Sequence, residues 1–456
     1  MKIVYLVAGS SGMYCGTCLH GNTLAVAVGQ AGHDVLMAPA YTPVLTDEDQ
    51  PAQGRMVFGG INVYLQQRFG LFRHTPWLVD RLLDRPRLLG WLGKLSASRR
   101  PAQLGELTVS MLRGHQGRQR KEIDKLVVWL EQEIRPDLVH LSTVMLAGAA
   151  RQIQRTLGVP VVGTLSGEDL FLSGLVPPHD AEARTLLGER CAELSAMIAL
   201  NRYYADFAAE QFSLPRGRIH VIPPGLNLAG HRPLGQLAAP AGPPHGGSHP
   251  ITIGYLARIC PEKGLHLLAE AFARLASDQR LPPARLVAGG FLDRADRPYL
   301  EAVRSRLADA GLSDRFQYVG APDRAAKIAL VQSFDLMCVP TVYAESKGIY
   351  VLEAWANGVP VVLPAHGAFP EMVADTGGGL LATPHDPDSL ADALRRLILN
   401  PSLAADCGRK GQQAVYDRYH AHRMARQTIE LYERVVLGEK QAAGSGQQAA
   451  DSVGGT

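Results

Sequence analysis

Short apolar runs alternate with amphipathic stretches along almost the whole chain. In the first half, the apolar runs predict strands at residues 3–8, 34–38, 138–141, 159–163, 197–200 and 219–222. In the second half, the same pattern predicts strands at residues 251–256, 285–288, 316–319, 336–339 and 359–363. The stretches between these runs have helical periodicity, and strands that alternate with helices are typical of parallel sheets. The pattern therefore predicts an α/β fold.

A Pro/Gly-rich segment without periodicity separates the two series of strands. We interpret this segment, residues 237–250, as an exposed linker. A chain of 456 residues also exceeds what one ordinary core accommodates. We predict one Rossmann-like domain at residues 1–236, a second at residues 251–415, and a cleft between them with ligands at the carboxyl ends of the strands. Residues 439–456 are of low complexity and are predicted to be disordered.

Composition and charge narrow the class of protein. The formal net charge is +3, so wholesale nucleic-acid binding is not indicated. The chain has no run of about 18 apolar residues that would predict a transmembrane helix. Six scattered cysteines favour a reduced, cytoplasmic setting. Cys15 and Cys18 form a single C-x-x-C pair, which we interpret as structural thiols, with redox sensitivity as the alternative.

Two glutamates, Glu345 and Glu353, flank the start of a predicted helix. Residues 334–339 are strand-like and residues 349–356 have helical periodicity, so Glu345 lies on a strand-to-helix loop and Glu353 lies within the helix. We expect both to face one cleft. Gly348 opens the helix, whose first N–H groups suit a diphosphate. A nucleotide-sugar site is the hypothesis, although such a pair alone is also typical of a solvated helix face.

A second loop carries two cations. Arg258 and Lys263 follow the predicted strand at residues 251–256 and precede Gly264 and an amphipathic helix. Arg presents a planar fork of donors and Lys a point charge, and both types recur at phosphates. An Arg and a Lys at this spacing are also common on structural loops. Gly290, after the strand at residues 285–288, indicates either a nucleotide-facing turn or a plain tight turn.

The segment from Glu345 to Val361 resembles a motif of the retaining glycosyltransferases of family 4 (group 1 type), which have the GT-B fold. The family pattern is Glu, seven residues, Glu, then Ala-x-Ala-x-Gly-x-Pro-Val, and this chain matches it. The resemblance implies that Glu345 approaches the donor sugar, that Glu353 holds the ribose, and that Arg258 and Lys263 clamp the diphosphate. It also implies that a helix at residues 416–438 crosses back to the first domain.

The resemblance implies a set of site residues. Those expected to act in catalysis are Glu345, Arg258 and Lys263. Those expected to bind the donor are Gly16, Arg258, Lys263, Gly290, Gly348, Ile349, Tyr350 and Glu353.

The first domain departs from the family. Many relatives read Thr-x-His-Gly-x-Asp where this chain has Ser166 in place of the His, followed by Glu168 and Asp169. We expect these three residues on the acceptor side. Glu168 or Asp169 is a candidate to replace the imidazole over the sugar, and a helix N-cap is the alternative role for Asp169.

The resemblance implies transfer of a hexose from a nucleoside-diphosphate sugar to the hydroxyl of a glycan, a lipid-linked acceptor or a small molecule. It implies no metal and no cofactor, because the cations and the helix start neutralise the diphosphate. One alternative is a nucleotide-sugar epimerase or hydrolase on the same fold. Another is a catalytically degenerate GT-B scaffold, which the changes in the first domain would favour.

A basic insertion, about residues 66–121, is the most individual part of the chain. Residues 68–121 contain 12 Lys or Arg against 3 Asp or Glu, with Trp77, Trp91 and several Leu interleaved. Such a segment is typical of a solvated basic face. The alternative is contact with an anionic membrane surface at its inner face, or with a lipid-linked acceptor.

Overall fold

The structure is a computed structural model that describes residues 1–9, 16–42, 44, 46–48, 104–236 and 250–453, with side chains up to residue 439. The chain divides into two compact units. The first comprises Met1–Pro223 and His422–Thr456, and the second comprises Pro224–Ala421. Most of the basic insertion, the linker at residues 237–249 and Cys15 lie outside the described residues.

The first unit is built on a six-stranded parallel sheet. In chain order its strands are β1 (Lys2–Val7), β2 (Asp34–Pro39), β3 (Leu138–Leu141), β4 (Val161–Leu165), β5 (Ala196–Ala199) and β6 (Ile219–Val221). Their spatial order is β2-β1-β3-β4-β5-β6. Strands β3, β4 and β5 are buried along their whole length, as expected of a parallel sheet covered by helices on both faces.

The second unit repeats this plan with another six parallel strands. They are β7 (Ile251–Leu256), β8 (Ala284–Gly289), β9 (Phe316–Tyr318), β10 (Leu336–Cys338), β11 (Val361–Pro364) and β12 (Gly379–Ala382). Their spatial order is β12-β11-β10-β7-β8-β9. The direction of strand addition reverses beside β7, and ligands of open parallel sheets bind at such reversals.

Helices connect the strands in both units. Those of the first unit are α1 (Gly16–Gln30), α2 (Gly105–Leu112), α3 (Arg120–Trp129), α4 (Ala150–Leu157), α5 (Glu168–Ser173), α6 (His179–Cys191) and α7 (Arg202–Gln211). Those of the second unit are α8 (Leu265–Ala276), α9 (Arg297–Asp309), α10 (Arg324–Gln332), α11 (Ile349–Ala356), α12 (Phe369–Thr376), α13 (Pro387–Leu399) and α14 (Pro401–Arg418). A last helix, α15 (Ala421–Val453), returns to the first unit.

The second unit begins earlier than predicted. Residues 224–236 belong to it rather than to the domain predicted at residues 1–236. The reason lies in hydrogen bonds of this segment to helices of the second unit. The Arg232 N–H donates to Asn357 Oδ1 at 3.1 Å, and the Tyr416 hydroxyl donates to the Arg232 carbonyl at 2.6 Å. The chain returns to the first unit at His422, not at residue 416.

Helix α15 packs against the first sheet through a buried polar contact. The His140 imidazole on β3 lies between the Tyr432 hydroxyl, which Nδ1 contacts, and the Thr164 hydroxyl, 2.7 Å from Nε2. Tyr5 on β1 stacks at a tilt on the same imidazole, with ring centroids 4.5 Å apart. The helix continues to Val453, so the disordered tail predicted from residue 439 is replaced by helix there. None of the helices in the described part of the chain is long and apolar enough to cross a membrane.

Candidate active site

The loop after β7 places Lys263 at the carboxyl end of the second sheet. A short turn at Pro261–Lys263 leads through Gly264 into α8. Gly264 has φ of 74°, and a Cβ on it would lie 1.8 Å from the Pro340 carbonyl oxygen, so only glycine lets this loop approach the end of β10. The Tyr255 hydroxyl donates to the Lys263 carbonyl at 3.4 Å. The position of Lys263 is thus set by the close packing of Gly264 against Pro340 and by the Tyr255 hydroxyl.

Arg258 lies on the same loop and is oriented by a thiol. Its Nε contacts Cys260 Sγ at 3.2 Å, and the Tyr255 hydroxyl donates to its carbonyl at 3.1 Å. Gly290 supports this loop from the neighbouring strand. It has φ of 144°, and a Cβ there would lie 1.8 Å from the carbonyl oxygen of Ala257. A side chain at position 290 would therefore clash with the backbone of this loop. This requirement for glycine fits the interpretation of Gly290 as a tight turn.

Lys263 and Glu345 form the centre of the site. The Lys263 ammonium lies 2.5 Å from Glu345 Oε2 and 2.6 Å from the Tyr343 hydroxyl. The hydroxyls of Tyr343 and Tyr350 also donate to Glu345 Oε2, at 2.9 Å and 3.3 Å. The ammonium lies 4.9 Å and 5.0 Å from the centres of the two tyrosine rings, within the range of a cation–π contact.

The second oxygen of Glu345 is held by backbone. Oε1 accepts the N–H groups of Ser346 at 3.1 Å and Lys347 at 3.3 Å. Glu345 is buried, so the alternative interpretation, a solvated helix face, is wrong for this residue. Burial is the largest single influence and raises the pKa of its carboxyl, but the Lys263 ammonium, together with Lys347 and the Tyr343 hydroxyl, lowers the pKa to about 2. Glu345 is therefore an anion at neutral pH, with five donors around its two oxygens.

Helix α11 begins directly after this cluster. Gly348 is its N-cap, and Ile349 and Tyr350 are its first residues. The first N–H groups of a helix have no partner within the helix, and they carry part of the positive end of its dipole. The start of α11 therefore adds positive potential beside the Lys263 ammonium.

Glu353 lies one turn further along α11 and has a different partner. Its Oε1 lies 2.6 Å from the ammonium of Lys327, on α10. Glu353 is buried, so it too is not on a solvated helix face. The structure thus brings Lys263, Glu345 and Tyr350 into direct contact, and joins Glu353 to a residue outside the predicted site.

The predicted residues of the first unit form a cluster of their own. Glu168 is buried and accepts hydrogen bonds from the Ser166 N–H at 2.8 Å and the Thr143 hydroxyl at 2.6 Å. The Tyr204 hydroxyl donates to Asp169 at 2.8 Å. The N-cap of α5 is Gly167, so the alternative interpretation of Asp169 as an N-cap is wrong.

The positions of these side chains have a chemical consequence. The oxygens of Glu168 are engaged by protein donors, so its carboxylate fixes the loop that carries Ser166.

Gly16, also in the first unit, is the exposed first residue of α1.

Several contributing residues were not predicted from the sequence: Tyr343, Cys260 and Lys327 in the second unit, and Thr143 and Tyr204 in the first. Tyr343 had a local signal, because it lies two positions before Glu345 on the same loop. Lys327 had none, because it is on a separate helix.

The second unit presents positive charge beside an ion-paired carboxylate. Arg258, Lys263 and the start of α11 supply positive charge in fixed positions. Preorganised cations and N–H groups stabilise a phosphate as it leaves, without reorganisation during the reaction.

Two models of known families match the chain. A family model described as glycosyl transferases group 1 matches residues 246–414, which contain the cluster around Glu345. A second, described as glycosyltransferase family 4, matches residues 20–229.

Individual proteins are similar over one or both units. The D-inositol 3-phosphate glycosyltransferase of Nocardia farcinica is 32% identical over 219 residues, which is 46% of this chain and 47% of that protein. This match thus spans about half the length of that relative. The protein of the same name from Jonesia denitrificans is 28% identical over 449 residues, or 90% of this chain and 98% of that protein.

Solved structures share the fold. Sucrose-phosphate synthase from Thermosynechococcus elongatus superposes with a TM-score of 0.70 at 19% identity, over 96% of this chain and 100% of that one. Anabaena HepE in complex with UDP-glucose superposes with a TM-score of 0.64 at 17% identity, over 95% and 100%. With two Rossmann-like units and both family matches, the chain is a glycosyltransferase of the GT-B fold and belongs to the group 1 glycosyltransferases of family 4.

Proposed function

We propose that this enzyme is a retaining glycosyltransferase that moves a hexose from a nucleoside-diphosphate sugar to an acceptor hydroxyl, without a metal ion. Arg258 and Lys263 hold the diphosphate together with the start of α11. Glu345 faces the sugar, and Glu353 binds the ribose hydroxyls.

The contact between Lys263 and Glu345 carries the proposal. Its two atoms are 2.5 Å apart, so the ammonium helps to keep the carboxylate ionised. A second N–H bond of the ammonium donates to the Tyr343 hydroxyl, which leaves the third for a phosphate oxygen. An ionised carboxylate beside the sugar accepts hydrogen bonds from its hydroxyls and stabilises positive charge that develops at the anomeric carbon. Donor positioning and leaving-group stabilisation thus depend on one pair.

The state of Glu345 argues against its acting as a base or nucleophile. With a pKa of about 2 and five donors on its oxygens, it has little tendency to take a proton or to attack carbon. In the proposed reaction, the bond between the anomeric carbon and the phosphate oxygen breaks. The acceptor oxygen bonds to the same face of that carbon, and its proton passes to the departing phosphate.

The relatives suggest substrates for a first test. Anabaena HepE was solved with UDP-glucose and two relatives are named for D-inositol 3-phosphate, so we propose UDP-glucose and this phosphate as the first donor and acceptor. UDP-, GDP- and ADP-hexoses should be screened with cyclitol, glycan and lipid-linked acceptors. Product and released nucleotide are measured by mass spectrometry, and the anomer by NMR.

An α-linked product from an α-configured donor is the expected result. Nucleotide release that needs no acceptor would instead indicate a hydrolase, and conversion of the donor sugar alone would indicate an epimerase. A folded protein that binds no nucleotide sugar would indicate a degenerate scaffold.

Metal independence has its own test. Activity should survive excess EDTA, because Arg258, Lys263 and the helix start already face the diphosphate. An Asp-x-Asp triplet is a candidate metal-binding motif in metal-dependent glycosyltransferases, and this chain contains one at Asp386-Pro-Asp388. Its carboxylates have structural partners: Asp386 caps α13, and Asp388 pairs with Arg274 at 2.6 Å. Abolition by EDTA with rescue by manganese would contradict the proposal.

A further inference from the structure

Glu353 is held by a cation that belongs to a different helix. Its Oε1 lies 2.6 Å from Lys327 Nζ, and the two side chains are only 7% and 13% exposed. Glu353 lies on an apolar helix, with Val351, Leu352 and Trp355 buried around it. An ionised carboxylate in such surroundings needs a partner, because burial disfavours its charge.

The two helices are fixed to each other close to this pair. The Gln332 side chain at the end of α10 donates to Asn357 Oδ1 at 3.1 Å, at the end of α11. Asn357 Nδ2 in turn donates to the Glu353 carbonyl at 2.8 Å. These hydrogen bonds hold the two helices together, so the ammonium and the carboxylate lose little conformational freedom when they pair.

The ammonium lies on Oε1, and in this inference a ligand hydroxyl donates to Oε2, the other oxygen of the carboxylate. Hydrogen bonds to charged acceptors are stronger than neutral ones, and they need the acceptor oriented.

We propose that Lys327 is a positioning residue of the nucleotide site, which holds the Glu353 carboxylate directed at the ribose and thereby sets the preference for ribonucleotides with both sugar hydroxyls. The inference rests on the proposed function, because it assigns the ribose to Glu353. Lys327 acts through Glu353 and needs no contact with the ligand.

The test compares each nucleotide with its analogue lacking the ribose hydroxyls. Binding of UDP, GDP and ADP to the full chain is measured by calorimetry, and the tightest is then compared with its 2′,3′-dideoxy form. Wild type should prefer the ribonucleotide by at least about tenfold, because a hydrogen bond to a charged group contributes that much. Lys327→Met should reduce this ratio to about threefold or less.

Matched variants separate positioning from a general effect on the fold. Lys327→Arg should keep the wild-type ratio. Lys410→Met removes a lysine that pairs with Asp406 at the same 2.6 Å, but on an exposed surface, and should change nothing. Glu353→Gln should collapse the ratio by itself, and adding Lys327→Met to it should cause no further loss.

The outcomes distinguish this inference from the proposed function. If wild type binds none of the three diphosphates, the proposed function itself is wrong. If wild type binds one of them and Lys327→Met weakens both forms equally, with the ratio preserved, the role of Lys327 is overturned and the proposed function stands. If Lys327→Met does not fold, the comparison of Lys327→Arg with Glu353→Gln decides: a ratio lost in both contradicts the inference.

Discussion

Lys263 has two partners in the proposed site. Lys263 contacts the Glu345 carboxylate and, in the proposed reaction, the donor diphosphate as well. Burial alone would raise the pKa of Glu345, and this ammonium, with smaller contributions from Lys347 and the Tyr343 hydroxyl, makes it low. Loss of Lys263 therefore affects both the binding of phosphate and the charge of the carboxylate.

Replacing Lys263 or Arg258 by Ala should lower donor turnover at least tenfold. Each loses a charge-assisted contact of roughly 1.5–3 kcal/mol. The measurement is the initial rate at fixed donor concentration, with circular dichroism to check folding. Wild-type donor kinetics in a folded Lys263→Ala variant would rule out the diphosphate clamp.

The pH profile of Lys263→Ala gives a second prediction. In wild type the carboxyl of Glu345 stays ionised until the pH approaches its pKa of about 2, so activity should not depend on it between pH 8 and pH 5. Without the ammonium, burial raises that pKa and the carboxyl takes up a proton as the pH falls. The ratio of variant to wild-type kcat should therefore decrease toward acidic pH. A constant ratio would show that another group keeps Glu345 charged.

Substitutions of the two glutamates should affect different kinetic constants. Glu345→Gln should mainly lower kcat at saturating donor, because its charge is used at the reacting sugar. Glu353→Gln should mainly raise the KM for donor, because its contact is the same before and during the reaction. Steady-state kinetics of both variants decide, and reversed effects would mean that the two roles are exchanged.

Elements were more predictable from the sequence than contacts were. In the described part of the chain, eleven of the twelve strands lie where apolar runs predicted them. The exception is β12, a four-residue edge strand whose burial is interrupted and which Gly377 and Gly378 precede. Arg258, Lys263 and Glu345 were recognisable from the loops they occupy. The Lys327 contact was not, because helix packing brings it to Glu353.

Helix α15 and strand β3 are joined by a titratable contact, which makes stability depend on pH. Burial first, and His20 second, lower the pKa of His140 from 6.5 to about 3. Below pH 6.5 the unfolded chain takes up a proton that the folded chain does not. Stability should therefore fall as the pH decreases from 6.5 toward 3, by about 1.4 kcal/mol per pH unit for this group.

The prediction is tested with His140→Gln, which cannot take up this proton. Its free energy of unfolding should lie below that of wild type at pH 7, and the difference should shrink as the pH falls to 5. Urea titrations at several pH values measure it. His115→Gln, which changes a partly exposed imidazole near Asp124, is the control and should keep the wild-type pH slope. A difference that stays constant with pH would contradict the assignment.

At the scale of the whole molecule, the basic insertion gives a prediction about membranes, and the described residues include only part of this insertion. Residues 66–103 lie outside them. Further along, Arg118 pairs with Glu106 at 3.2 Å and Arg120 with Asp124 at 3.7 Å, both on the surface. Exposed pairs are weak, so these arginines remain available to an anionic surface.

If the insertion contacts membranes, the enzyme should co-sediment with anionic vesicles and not with neutral ones. Binding should weaken with salt, because the Debye length falls from about 10 Å at 0.1 M to about 3 Å at 1 M. Each cation near the surface contributes about 1 kcal/mol, so replacing Arg99, Arg100, Arg118 and Arg120 by Gln should abolish binding. Turnover of a small acceptor should be unchanged. Failure of both vesicle types to bind at low salt would indicate a solvated basic face.

The return of α15 to the first unit has a consequence for biosynthesis. The nascent chain emerges from the ribosome with Tyr5 and His140 long before Tyr432, and these three side chains are buried together in the finished protein. At about 5–20 residues per second, translation of the intervening second unit takes on the order of tens of seconds. During that interval helix α15 does not yet cover the first unit, so the surface around His140 that Tyr432 later contacts is open. The domain that starts folding first is thus the last to be completed.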